Sequence, residues 1–307
     1  MSRSTRESFS SIDWVYAGAV ALIVASVVVT IYVVGPPHPP PLERQVSIPF
    51  DLNKPDRSYS LPSELKEISG VVVSHSERVA WAINDEQGKL FRIDLDDGSV
   101  EVERTFAKSG DYEGIEMVDG AVVVARSDGT LWRIAEEGVQ KVKSPLSKRH
   151  NVEGLAWDER QSRLLVACKG KAGHGAKFAQ SRAIYTVQIP SYEWTDTPAF
   201  VVERAAVRRF LEDHEGVGRK ARSAKSFAPS AIGVDPVTGH IYLLTTAGPM
   251  LVVLDAAADS VLEVVALNRD VHAQPEGLAF DADGSLYISN EGRGTQARLH
   301  RFGRRRR

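Results

Sequence analysis

The chain has 307 residues, 25% of them charged, a formal net charge of −2 and one cysteine. That length suits one large domain with an appendage. The near-neutral charge argues against a general nucleic-acid binder, and a lone cysteine excludes an intramolecular disulfide.

Residues 1–13 read as a short cytoplasmic segment ahead of a transmembrane helix over 14–34. Residues 16–34 carry no charged side chain and are rich in Val, Ala, Ile and Leu. A helix of that length nearly spans a hydrocarbon core of about 30 Å, and Trp14 and Tyr32 suit its two interfaces. Arg3 and Arg6 flank its start, which favours an internal N-terminus and an exported domain. Ala17, Ala21 and Ala25 recur every four residues, as filler or as a face for a second helix. The Pro-rich linker 35–44, Gly35-Pro-Pro-His-Pro-Pro-Pro-Leu at its core, should form a stiff polyproline II spacer.

From residue 45 to 303 one phrase keeps returning: Glu67-Ile-Ser-Gly-Val, Asp111-Tyr-Glu-Gly-Ile, Asn151-Val-Glu-Gly-Leu, Pro229-Ser-Ala-Ile-Gly and Pro275-Glu-Gly-Leu-Ala. Anchored on Ser69, Glu113, Glu153, Ser230 and Glu276, the intervals are 44, 40, 77 and 46 residues. Strand-bearing units of roughly 40–50 residues predict a β-propeller. The second unit shows the plan: Ile115-Glu-Met-Val, Ala121-Val-Val-Val-Ala, Gly129-Thr-Leu-Trp-Arg-Ile and Val139-Gln-Lys-Val-Lys, separated by Asp-Gly and Glu-Gly turns, make one four-stranded blade. The enlarged third unit has strands at 163–168, 183–189 and 200–204, with its surplus in 170–182 and 208–227. Five blades are read directly, and a sixth stays open. The run Gln45-Val-Ser-Ile-Pro-Phe is a candidate strand for closing the ring. Cys168, at a strand end, reads as a small buried residue. Residues 304–307 form an all-arginine tail, expected to be solvated.

In a propeller blade the start of the first strand and the end of the second share a face. Starts supply Glu67, Glu113, Glu153 and Glu276, with Ser69 and Ser230 at matching positions. Second-strand ends supply Asn84-Asp85-Glu86, Arg126-Ser-Asp128, Lys169, Thr245-Thr246 and Asn290-Glu291. Such a gathering of carboxylates repels itself unless a cation intervenes, and oxygen ligands without Cys or His suit Ca²⁺. Glu67, Asp85, Glu113, Glu153, Glu276, Asn290 and Glu291 are therefore candidate metal ligands, with calcium the expected ion. Arg126 and Lys169 either pair with these acids or meet an anionic ligand. Glu-Gly ahead of a strand reads equally as a packing rule of the repeat. His174 and His214 lack a second ligand at metal spacing. The basic cluster within 204–225 is interrupted by acids and lacks interleaved aromatics, so it reads as a solvated excursion. No nucleophile elbow, His-Glu-x-x-His, Walker A loop or Rossmann fingerprint occurs.

Leu65-Lys-Glu-Ile-Ser-Gly-Val, Asn84-Asp-Glu-Gln-Gly, Gly110-Asp-Tyr-Glu-Gly-Ile, Gln274-Pro-Glu-Gly-Leu-Ala-Phe and Ile288-Ser-Asn-Glu together resemble the SdiA-regulated (YjiK/CarP-like) family of bacterial proteins, over residues 59–302. The resemblance implies a propeller related to calcium-dependent phytase-like propellers, exported and often tethered to the inner (plasma) membrane. It also implies a link to calcium handling for some members. Ser230 in place of Glu and the enlarged third unit depart from a full phytase-like metal array. Three functions follow as expectations. The first is a membrane-anchored module binding a divalent cation in a sensory or homeostatic role. The second is a metal-dependent hydrolase of phosphate or other esters, with Arg126 and Lys169 on the anion. The third is a protein-interaction platform using the two insertions.

Overall fold

Alternating apolar runs punctuated by Gly and Asp turns dictate antiparallel hairpins, and the repeat stacks these into blades. The computed structural model describes residues 48–170, 172, 180–213, 227–258 and 260–305. Strand β1 (Arg57–Ser60) comes first. The first blade is β2 (Ile68–Val73), β3 (Val79–Asn84), β4 (Lys89–Asp94) and β5 (Val100–Thr105). The second is β6 (Tyr112–Val118), β7 (Ala121–Arg126), β8 (Leu131–Ala135) and β9 (Gly138–Val142). The third is β10 (Val152–Asp158), β11 (Arg163–Cys168) and β12 (Ser181–Gln188), whose outer edge pairs with both β13 (Glu193–Trp194) and β14 (Phe200–Glu203). A helix, α1 (Arg204–Glu212), follows β14 and buries Val207 and Leu211. The fourth blade is β15 (Ala231–Val234), β16 (Ile241–Thr245), β17 (Met250–Leu254) and β18 (Val261–Ala266). The fifth is β19 (Pro275–Phe280), β20 (Leu286–Asn290) and β21 (Arg298–Phe302), with β1 as its outermost strand.

The inner strands pack side by side in a closed circuit: β2 against β6, β6 against β10, β10 against β15, β15 against β19, and β19 back against β2. Each pair of neighbouring blades encloses its own apolar layer. Phe91 and Ile93 of the first blade, for example, share a layer with Leu299 of the fifth. Leu165 and Ile184 of the third share another with Leu243 and Val252 of the fourth. Each such fully buried side chain contributes about 1.5–3 kcal/mol. The result is an all-β propeller of five blades among the described residues, without a sixth.

Closure differs from the sequence expectation. Ile48, Pro49 and Phe50 form no strand, and residues 45–47 lie outside the described residues. Arg57–Ser60 closes the ring instead, in register Arg57↔Arg301 to Ser60↔Arg298. It is a polar strand with only Tyr59 buried, because an outermost strand faces solvent and needs no apolar alternation. The Tyr59 hydroxyl donates to Leu95 O at 2.9 Å, which ties the last blade to the first. Phe50 and Leu52 enter the layer between the fourth and fifth blades, where the Phe50 ring lies 6.4 Å from Tyr242 and 6.2 Å from Phe280.

The arginine run is also more than a tail. Arg304 pairs with the fully buried Asp235 and lies 5.4 Å from the centre of the Phe50 ring, while Arg305 pairs with Asp51. Residues 306–307 and the segment 14–34 expected to cross a membrane lie outside the described residues. Among the described residues no helix is long and apolar enough to cross one.

Candidate functional site

The repeated phrase has two structural jobs. In four blades the register of the inner pair slips at the motif residue. Ile68 pairs with Asn84 and Gly70 with Ile83, so Ser69 is skipped; Glu113, Glu153 and Glu276 are skipped in the same way. Such a β-bulge leaves one residue out of the ladder and re-aims its side chain. The glycine that follows serves packing. A Cβ on Gly154 would lie 2.9 Å from Ile232 N, and one on Gly277 would lie 3.1 Å from Val71 N. Neighbouring inner strands therefore approach too closely for a side chain there. Ala231 stands at this position in the fourth blade, where β15 begins without a slip.

The motif residues then divide by chemistry. Ser69 Oγ donates to Tyr112 O of the next inner strand at 2.7 Å, and Ser230 Oγ to Pro275 O at 3.1 Å. Thr246 Oγ1 donates to the same carbonyl at 2.7 Å. These hydroxyls, expected on the channel face, stitch neighbouring blades together. Glu113, Glu153 and Glu276 form one electrostatic group with Lys169. Lys169 Nζ lies 3.0 Å from Glu153 Oε2, and Asn151 donates to Glu153 Oε1.

The group holds more carboxyls than Lys169 can balance, so they retain protons. Burial first, then the Glu153 charge and Asp111, push the Glu113 carboxyl well above the carboxylate range. Burial, then Glu291, push Glu276 up to about 8. Glu153 is also raised by burial, with the Lys169 charge pulling it back. Burial works against the Lys169 ammonium, but the Glu153 charge, with Glu276 and Glu113 behind it, keeps it protonated beyond the usual lysine range.

The remaining candidates gather at the seam between the fifth and first blades. Glu67 is exposed, whereas Asp85 and Glu291 are half-buried. Asp85 is raised by burial and by Glu67 and Glu86. Glu291 is raised by burial, with Arg293 opposing. Asn290 is buried, and neither its amide nitrogen nor its oxygen has a hydrogen-bond partner among the described residues; the same holds for Asp85 Oδ1. Arg126 is engaged by Asp128, with Nε–Oδ1 at 3.0 Å, and lies 5.3 Å from the centre of the Trp132 ring. Sequence reading missed Asp111, two residues before Glu113. Its signal was the polar residue in that place in several repeats: Glu67, Asp111, Asn151 and Gln274. Cys168 is fully buried as expected, and burial pushes its thiol up to about 12.

The donor chemistry fits a hard cation: buried and half-buried carboxyls in excess of the one ammonium, plus amide and carboxylate oxygens lacking partners, with no sulfur or imidazole among them. Among the described residues no group of three or more His, Cys, Asp or Glu side chains is already arranged to hold a metal ion.

The family model for SdiA-regulated proteins matches residues 59–293. The chain belongs to the SdiA-regulated family. A search of curated protein sequences gives no match. Among solved structures, the glutaminyl cyclase of Myxococcus xanthus aligns with a TM-score of 0.51 at 14% identity, covering 81% of this chain and 94% of that one. The PQQ-bound aldose sugar dehydrogenase of Streptomyces coelicolor aligns with a TM-score of 0.50 at 13% identity, covering 81% and 97%. At such identity the likeness concerns the fold alone. The SdiA-regulated chain shares their propeller architecture, and its chemistry must be argued from its own residues.

Proposed function

We propose that this SdiA-regulated protein is a membrane-anchored, exported propeller that binds a divalent cation, calcium first, on the face bearing Glu113, Glu153 and Glu276. It works as a binding or sensory module in calcium homeostasis. The observation that carries the reading is the excess of carboxyls there: Glu153, buried, and Glu113 and Glu276, half-buried, share one ammonium, and the two without it hold protons that a divalent cation would displace. Ions so buried are costly unless a counter-charge joins them, and Ca²⁺ supplies two positive charges to oxygen ligands. Glu67, Asp85, Asn290 and Glu291 at the seam would contribute the outer oxygens. Anchoring rests on the apolar segment 16–34.

Binding is favoured over ester hydrolysis because both basic groups that an anionic substrate would need, Arg126 and Lys169, already hold carboxylates. Calorimetric titration of CaCl₂ into the fragment 47–307, a compact unit that contains the whole ring, tests the reading. Saturable binding in the micromolar-to-millimolar range is expected, lost in the double variant Glu113→Gln/Glu276→Gln. Because Lys169 competes for the same carboxylates, Lys169→Met should bind Ca²⁺ more tightly. Absence of any calcium-dependent heat, or affinity indifferent to the double variant, removes the proposal.

A further inference from the structure

The opposite mouth of the ring carries a second feature that the metal reading does not use. The hairpins that follow the inner strands of the first four blades, with the end of β19, enclose a cavity of about 310 Å³. That is the lower end of the size range of small-molecule sites. Its wall is mixed: Met117, Trp157 and Phe280 give an apolar and aromatic surface, and Glu116 adds a carboxylate on an inner strand. Glu116 is fixed in place, Oε1 accepting from Met117 N at 2.8 Å and Oε2 from Trp157 N at 2.9 Å. A carboxylate oxygen takes two hydrogen bonds, so each retains accepting capacity.

The charges around the cavity are unbalanced. Asp158 is held by Arg163 at 2.9 Å, and Asp235 by Arg304. Arg160 donates to the backbone carbonyls of Thr238 and Val237 at 3.0 and 3.2 Å. His75 is an exposed rim residue. Among the described residues no cation pairs with Glu116, Asp119 or Glu159, so the lining is net negative even with Arg160 counted. Burial holds the Glu116 carboxyl up at about 7, as befits a group whose charge lacks a counter-ion.

We infer that this cavity is a binding site for a small organic ammonium ion with an apolar body, its charge met by Glu116 and Asp119 and its body by Trp157, Met117 and Phe280. A carboxylate beside an indole is the pairing that recognises organic ammonium groups, by ion pairing together with attraction to the ring face. A bare metal ion would leave the aromatic wall unused, and an anion would meet Asp119 and Glu159.

Calorimetry on the fragment 47–307 with 2-phenylethylammonium, its neutral match 2-phenylethanol, and CaCl₂ decides the matter. The ammonium should bind saturably and at least tenfold more tightly than the alcohol, and the excess CaCl₂ should not displace it. Glu116→Gln should weaken binding about tenfold or more, and Asp119→Asn about two- to fivefold. Asp119 is exposed in a turn, so its variant keeps the test decisive should Glu116→Gln fail to fold. The Glu113→Gln/Glu276→Gln protein should bind the ammonium as the parent does, whatever becomes of its calcium response. No saturable binding, equal binding of the alcohol, or affinities unmoved in both the Glu116 and Asp119 variants would overturn the inference.

Discussion

Replacing Glu276 by Gln should stabilise the metal-free protein, by an amount that grows with pH. The folded carboxyl titrates at about 8, against 4.5 for an ordinary glutamate. The folded chain therefore keeps a proton that the unfolded chain releases. The contribution of Glu276 to stability is full below pH 4.5 and is lost as pH rises through 8. At pH 7 the accumulated loss is about 2.5 pH units, or about 3 kcal/mol. Gln cannot titrate and escapes that penalty. Urea unfolding of the fragment 47–307 in EGTA should thus show the variant within about 1 kcal/mol of the parent near pH 5, and ahead by about 3 kcal/mol at pH 7. Added CaCl₂ should raise the parent at pH 7 and largely close the gap. A difference between the two proteins that does not change with pH would mean Glu276 is an ordinary solvated carboxylate, and the charge argument would fail.

Other perturbations probe the frame that holds the site. Gly154→Ala places a Cβ against the backbone of Ala231 and Ile232, which cannot yield, and should cost about 1–3 kcal/mol by chemical unfolding. Gly70→Ala meets only the Ile115 and Ile83 side chains and should cost less; equal costs would contradict the close-approach explanation. Ser69→Ala removes its bond to the Tyr112 carbonyl and should lower stability by about 1–2 kcal/mol, whereas Ser230→Ala should cost less because Thr246 still serves Pro275; the reverse order in unfolding experiments would refute the stitching role. His300 is buried, and burial followed by the neighbouring His272 depresses its pKa to about 4. The unfolded imidazole takes a proton near pH 6.5 and the folded one does not, so this contribution to stability is present above 6.5. It falls by about 3 kcal/mol on the way to pH 4, opposite in sign to Glu276. A His300→Gln protein should lose that share of the acid slope, and an unchanged slope would count against it.

Most of the fold was legible because the repeat is periodic: inner strands, hairpin turns and buried Cys168 follow from alternation and turn chemistry. The closing strand was not. Val46, Ile48 and Phe50 alternate as a strand would, yet Ile48 and Phe50 pack into an inter-blade layer. Arg57–Ser60 carries almost no apolar signal because its neighbours are one strand and water. The acidic ring positions were legible as a set, but their reason was not. A bulge and a backbone contact between blades depend on a neighbour some 40 residues away in sequence. This also explains why the stitching role of Ser69 and Ser230 did not show in the sequence. Arg304 and Arg305 looked like a solvated tail because their partners, Asp235 and Asp51, are remote in sequence. Glu116 did leave a trace, a lone charge inside the apolar run Ile115-Glu-Met-Val, but only the ring brings it beside Trp157.

The most direct measurement is a crystal structure of the fragment 47–307 grown with about 10 mM CaCl₂. The account predicts an ion with oxygens of at least two of Glu113, Glu153 and Glu276 at about 2.3–2.6 Å. Carboxyls left without an ion under those conditions, with Lys169 still the sole counter-charge on Glu153, would contradict it.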